Sequence, residues 1–139
     1  MNDDFMDSNI LIYANSRSDP RKRAIARELV QLALDEGGVI SFQVVQETLN
    51  VLTRKLPSPV SLGDAGELLR GVLEPLWNVM PTPALYQRAL DLQDRYGYSF
   101  YDSLIIAAAL TAGCTRLYSE DLHDGQQIEG LTIVNPFSQ

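Results

Sequence analysis

Apolar side chains along this chain alternate between short solid runs and stripes at helical spacing. A first short run ends near Asp7, and "SNILIYA" after it reads as a short helix. In "SDPRKRAIARELVQLALDEGG", Asp19 fits an N-cap, Pro20 the first helical position and Gly37-Gly38 the stop. Ile25, Leu29 and Leu32 supply its apolar side, with Val30 and Leu34 less regularly placed. "VIS" reads as a buried strand. "FQVVQETLNVLTRKL" reads as a helix with Val45, Leu49, Leu52 and Leu56 at helical spacing. "PSPVSLG" is a loop, from which Ser61 and Asp64 cap a helix running to about Leu73. "LWNVM" is a strand, and Thr82-Pro83 opens a helix to about Tyr96. "FYDSLIIAAALTAG" is a helix stopped by Gly113, "TRLYS" a strand and "LTIVNPF" the last strand. Strands and helices in this alternation predict an α/β fold, a mostly parallel sheet with helices on both faces. Ligands in such sheets bind beyond the carboxyl ends of the strands, and Asp7 stands at one such end.

The length of 139 residues suits a single domain over residues 1–139 with a sizeable core. The longest strongly apolar stretch, "LIIAAALTAGC", is too short to span a bilayer, so no membrane association is expected. "MNDDFMDSN" is acidic and lacks a signal-peptide layout. Cys114 is the only cysteine, which excludes a disulfide framework and fits a reducing cytoplasm. His123 is the only histidine, so a zinc site of Cys and His is out of reach. Any metal must be held by oxygen ligands, which favours magnesium or manganese. The net charge of −7 argues against a simple phosphate-binding surface. Five of the eleven basic residues nevertheless fall between Arg17 and Arg27 (Arg17, Arg21, Lys22, Arg23 and Arg27). They make either a solvated helix face or a patch for a polyanion.

Four acids fall where the predicted strands end or helices begin. Asp7 follows the first strand. Glu47 lies about one and a half turns into the helix after the second, on a mixed face flanked by Val44 and Val51 and roughly opposite the main apolar stripe. Asp102 sits in the first turn of a very apolar helix, and Asp121 follows "LYSE". Each has an ordinary explanation when taken alone. Glu47 suits an exposed helix face, Asp102 a capping box with Ser99, and Asp121 a polar turn. Together they fall at one edge of a doubly wound sheet. Two unit charges ~4 Å apart repel by roughly 4 kcal/mol at an effective dielectric of about 20. Divalent cations remove that repulsion, and an all-carboxylate site is the pattern of enzymes that cut phosphodiesters.

On these residues the sequence resembles PIN-domain nucleases, more narrowly the VapC-type toxins of type II toxin–antitoxin systems. "MDSNILIY" is similar to the family's opening motif, with Asp7 as the acid and Asn9 as its polar companion. "SFQVVQETLNVL" resembles the second motif, with Glu47, and "YDSLIIAAAL" the third, with Asp102. "LYSEDLHDGQ" followed by "LTIVNPF" resembles the last, with Ser119 as the hydroxyl and Asp121 as the acid. Serine stands at positions 8 and 119, where threonine is frequent, and Glu120 is a second acid beside Asp121. The family's hydroxyl-x-acid spacing selects Asp121 and turns Glu120 aside. The resemblance implies a three-layer α/β/α sandwich around a central parallel sheet of about five strands. It implies one or two magnesium or manganese ions held by Asp7, Glu47, Asp102 and Asp121, with Asn9 and Ser119 positioning ligands and water. It further implies endonucleolytic cleavage of RNA, a homodimer, and inhibition by a cognate antitoxin protein.

Two other classes compete. An Asp-based phosphoryl-transfer domain also places an aspartate at a strand end, but its phosphatase pattern wants a second Asp where Asn9 stands. It also wants a lysine near the site, and the only lysines are Lys22 and Lys55. A catalytically silent PIN-like binding module would tend to lose acids, and this chain keeps all four.

Overall fold

A computed structural model describes residues 3–138; Met1, Asn2 and Gln139 lie outside it, and with them the first residues of the acidic N-terminal stretch. Strand β1 (Asp4–Met6) leads into α1 (Ser8–Ala14) and α2 (Pro20–Glu36). Next come β2 (Ile40–Ser41) and α3 (Phe42–Asn50), which widens into π-helical turns over Val51–Lys55. Helix α4 (Leu62–Leu68) widens in the same way over Leu69–Leu73 and ends in the short α5 (Glu74–Leu76). Strand β3 (Trp77–Val79), α6 (Pro83–Tyr96), α7 (Phe100–Thr111) and β4 (Arg116–Tyr118) follow, and then β5 (Gln127–Ile128) and β6 (Leu131–Val134).

The helix ends are set by the expected chemistry. The Asp19 carboxylate accepts from the Lys22 N–H, Thr82 Oγ1 from Leu85 N–H and Ser99 Oγ from Asp102 N–H. Gly37 and Gly97 close α2 and α6 with φ of 95° and 77°, the left-handed conformation that glycine adopts at least cost. Gly38 is needed for another reason: a Cβ there would stand 2.5 Å from Ala33 Cβ.

The strands form a four-stranded sheet in the order β1-β4-β6-β5 and a two-stranded piece, β2-β3. A parallel bridge between Phe5 and Val39 joins the pieces. Read across it, β3-β2-β1-β4-β6 are parallel throughout, in an α/β/α arrangement. The additional strand β5 runs antiparallel to β6. That hairpin was not foreseen in the sequence. Its turn is Glu129-Gly130, with φ of 52° and 88°, a type I′ geometry without the Asn-Gly that normally announces it.

Two helix faces differ from expectation. The buried stripe of α2 is Ala26, Val30 and Ala33, whereas Leu32 is 44% exposed. Small residues let α2 come close to its neighbours, so the alanines mark the contact and not the leucines. On α3 the buried residues are Phe42, Gln43, Val44, Val45 and Thr48, continued by Leu52, with Leu49 and Leu56 only partly covered. The buried face is thus rotated toward Glu47, which lies at its margin.

The chain leaves β1 to build β2 and β3 on one side and returns to build β4 and β6 on the other. The crevice beyond β1 and β4 is the topological switch point, where doubly wound sheets bind ligands. Phe5, Leu117 and Ile133 are fully buried beneath it, and Ser103 to Ala109 of α7 are buried throughout. Among the described residues, no helix is long and apolar enough to cross a membrane.

Candidate active site

Asp7 is the first residue past β1 and Ser119 the first past β4. The strand pairing carries them together, because Asp7 N–H donates to the Tyr118 carbonyl at 3.0 Å and Ser119 N–H to that of Val134 at 3.0 Å. Asp7 is only 5% exposed and Ser119 is fully buried. One carboxylate oxygen of Asp7 accepts from Ser8 N–H at 2.7 Å, capping α1, and the other accepts from Ser119 Oγ at 2.8 Å. Ser119 Oγ in turn accepts from Asn9 Nδ2 at 3.4 Å and from Asp121 N–H at 3.2 Å. A hydroxyl has one proton to give and two lone pairs. All are used, so the proton of Ser119 is committed to Asp7.

Asn9, one residue into α1, completes the knot. Its Nδ2 also donates to Asp121 Oδ2 at 3.2 Å, and its Oδ1 accepts from Glu120 N–H at 3.4 Å. Both flanking acids of the last motif are therefore assigned positions. The Asp121 carboxylate rests against Asn9 on the crevice side. The Glu120 carboxylate is drawn away by Lys22 Nζ at 2.8 Å and by the Tyr13 hydroxyl at 2.5 Å. Lys22 also stands over the Tyr13 and Phe137 rings, 4.8 and 5.5 Å from their centroids, which further anchors it.

The other two acids come from α3 and α7. Glu47 is half-buried, and its carboxylate accepts from Gln43 Nε2 at 3.4 Å. Asp102 is half-buried in the first turn of α7, its own N–H given to Ser99 Oγ at 3.1 Å. Electrostatics connects all four. Burial pushes the Asp7 carboxyl up to about 7. The Ser119 and Ser8 hydrogen bonds oppose that shift, and the charges of Glu47 and Asp121 add to it. Asp102 is likewise raised, first by burial, with Ser99 opposing and the Asp121 charge adding. Glu47, Asp7, Asp121 and Asp102 thus form a chain of mutually repelling carboxylates.

None of the four takes part in the ion pairs Lys22–Glu120, Arg88–Glu129 or Arg116–Asp4. Among the described residues, no group of three or more Asp, Glu, His or Cys side chains is drawn close enough to hold a metal ion as it stands. Unscreened carboxylates repel one another, and a cation among them, or in part a proton on one of them, favours closer approach. The donor chemistry suits a hard divalent ion: Asp7, Glu47, Asp102 and Asp121 offer carboxylate oxygen, and Asp7 is a buried acid with no ion-pair partner among the described residues.

The basic cluster divides among several partners. Lys22 serves Glu120, Arg21 donates to the Phe137 carbonyl and Arg27 Nε donates to the Ala14 carbonyl. Arg17, Arg23 and Arg27 line a cleft of about 890 Å³ at the far end of α1, over Leu52 and Leu56. Asp121 is exposed and Glu47 and Asp102 are half-buried, so the acid edge is reachable from solvent, with Asp7 buried behind it.

Gln43 was not singled out in the sequence, although it lies four residues before Glu47 and hence one turn below it on the same face. Tyr13 and Lys22 were likewise not read as partners of Glu120. Only the fold brings residues 13, 22 and 120 together.

A family profile described as the PIN domain matches residues 5–123. No curated protein matches the chain in sequence. Solved structures share its fold. A toxin–antitoxin complex from Klebsiella pneumoniae aligns with a TM-score of 0.70 at 20% identity, over 97% of this chain and 98% of that one. VapC20 of Mycobacterium tuberculosis, a toxin that cleaves the sarcin–ricin loop, aligns with a TM-score of 0.61 at 21% identity, over 82% and 86%. FitAcB from Neisseria gonorrhoeae aligns with a TM-score of 0.64 at 18% identity, over 98% and 99%.

Proposed function

This chain belongs to the PIN domain family, and on that premise we propose that it is a magnesium- or manganese-dependent endoribonuclease acting as the toxin of a toxin–antitoxin pair. The observation that carries this reading is the knot of Asp7, Asn9, Ser119 and Asp121 at the sheet's switch point, electrostatically coupled to Glu47 and Asp102, with no ion pair to balance these acids among the described residues. Asp7, Glu47, Asp102 and Asp121 would hold the metal. When bound, the divalent ion lowers the pKa of a coordinated water and screens the charge that develops on the phosphate.

The chain's own residues have separable tasks. Asp7, buried and supported by Ser119 and Ser8, is the fixed anchor of the site. Ser119 keeps the Asp7 carboxylate in one orientation by giving it its only proton. Asn9 sets the Asp121 carboxylate by donating to it, and through Glu120 N–H it fixes the turn that follows β4. Lys22 and Tyr13 keep the second acid of that turn out of the crevice. His123 is exposed and packs against Tyr98, and it has no part in this scheme. The solvent-reachable edge suits a nucleic acid strand laid across it.

The toxin reading draws its support from the structural neighbours, which include toxin–antitoxin complexes. A cognate antitoxin and a homodimeric assembly belong to the same proposal. The test is incubation of purified protein with end-labelled RNA. Discrete fragments with magnesium or manganese, and intact RNA in chelator, are expected. RNA left whole under every metal condition would falsify the nuclease assignment.

A further inference from the structure

Gln43 is 4% exposed, and its amide does two things at once. Its Nε2 donates to Glu47 Oε2 at 3.4 Å and to the Tyr101 carbonyl at 3.1 Å. Both neighbours are acceptors, so only the nitrogen fits between them; an oxygen there would face two others. The orientation leaves Oε1 buried and without a partner. A buried carbonyl without a donor is destabilising, a cost set against the two bonds that the nitrogen donates. Tyr101 directly precedes Asp102, and the one amide therefore ties the Glu47 side chain on α3 to the first turn of α7.

We propose that Gln43 is a positioning residue of the acid edge, holding the Glu47 carboxylate against the start of α7 and so setting the span between Glu47 and Asp102. The inference rests on the metal-dependent reading above and adds to it a residue that touches neither the ion nor the substrate. Groups that orient metal-binding carboxylates typically matter 10–100-fold to affinity or activity. Methionine at 43 keeps the length and loses the donor.

The experiment compares the parent, Gln43→Met, Glu47→Gln and the double variant. Manganese binding is measured by calorimetry, melting in chelator, and RNA cleavage by kcat and KM. Gln43→Met is expected to melt in chelator no lower than the parent and to bind manganese at least tenfold more weakly. It should lose kcat with KM for RNA unchanged. In the Glu47→Gln background the same substitution should change manganese affinity no further, because its effect passes through Glu47. A manganese Kd within twofold of the parent's overturns the proposal, as does a tenfold effect that persists without Glu47. Should Gln43→Met fail to fold, Gln43→Asn replaces it. Its amide is one methylene too short to serve both acceptors, so the same loss is expected, and parent-like affinity again overturns the proposal. A parent that neither binds manganese nor cuts RNA refutes the nuclease reading itself, an outcome distinct from a functional parent with an indifferent position 43.

Discussion

Replacing Asp7 with Asn removes one buried charge and leaves the shape of the side chain. The folded carboxyl holds its proton up to about pH 7, whereas an unfolded one releases it near 3.8. The protein therefore loses stability as pH climbs through that window, because the native state binds the extra proton, and the loss levels off above it. At pH 8 the buried charge destabilises by roughly 4 kcal/mol, at 1.36 kcal/mol per unit of pKa difference. Asn still caps α1 through its oxygen. It faces Ser119 Oγ with an amide nitrogen, however, and both lone pairs of that hydroxyl are already occupied. One hydrogen bond is thus lost, at a cost of about 1–3 kcal/mol. In chelator at pH 8 the Asp7→Asn protein should be more stable than the parent by about 2 kcal/mol, several degrees in Tm. At pH 5 the buried acid is protonated and the gain should nearly vanish. Magnesium should raise the parent's Tm more than the variant's, since a ligand at 100 times its Kd stabilises by about 2.7 kcal/mol. Thermal melts at pH 5, 6, 7 and 8, with chelator and with magnesium, make the comparison. A variant that melts lower than the parent in chelator at every pH, with an equal magnesium shift, would refute the reasoning and leave Asp7 a helix cap.

Asp121→Asn should reduce RNA cleavage far more than Glu120→Gln, because Lys22 and Tyr13 already hold Glu120 outside the crevice; equal losses in a cleavage time course would contradict that division. Ser119→Ala removes the proton committed to Asp7 and should lower cleavage 10–100-fold. It should also move the Asp7 carboxyl further up, visible as a shift of its titration to higher pH in chelator by NMR; an unmoved titration counts against the hydroxyl's role. Gly38→Ala should destabilise by about 1–3 kcal/mol in urea melts, since the added methyl meets Ala33 Cβ at 2.5 Å; a neutral effect would mean that α2 can shift to accommodate it.

The reading from sequence succeeded where one residue type answers to one local cause. Asp19-Pro20, Thr82-Pro83 and Ser99 mark helix starts through groups within four residues of each other, and Asp7 directly follows β1, which pairs in parallel with β4. It fell short where the cause is distant or subtle. The β5–β6 hairpin turns on a glutamate at φ 52°, which no propensity announces. The α2 contact is made by Ala26 and Ala33, which carry a weak hydrophobic signal but permit close approach, while the more apolar Leu32 faces outward. Glu120 and Asp121 are chemically alike in sequence. The hydroxyl-x-acid spacing favours Asp121 over Glu120, but the contacts that hold the two apart come from Lys22 and Asn9, at residue separations of 98 and 112. Gln43 had a local signal, its spacing from Glu47, but its second partner lies on α7, 58 residues on.

The central claim is that Asp7, Glu47, Asp102 and Asp121 converge on one divalent site. Crystals grown with manganese, and an anomalous difference map collected from them, test it most directly. The account predicts a peak in the crevice beyond β1 and β4, ligated by the Asp7 and Asp121 carboxylates, with Glu47 and Asp102 drawn toward it and the Glu120 carboxylate still on Lys22. A map with no peak there under saturating manganese, or one whose only peak sits on acids away from that crevice, would contradict it.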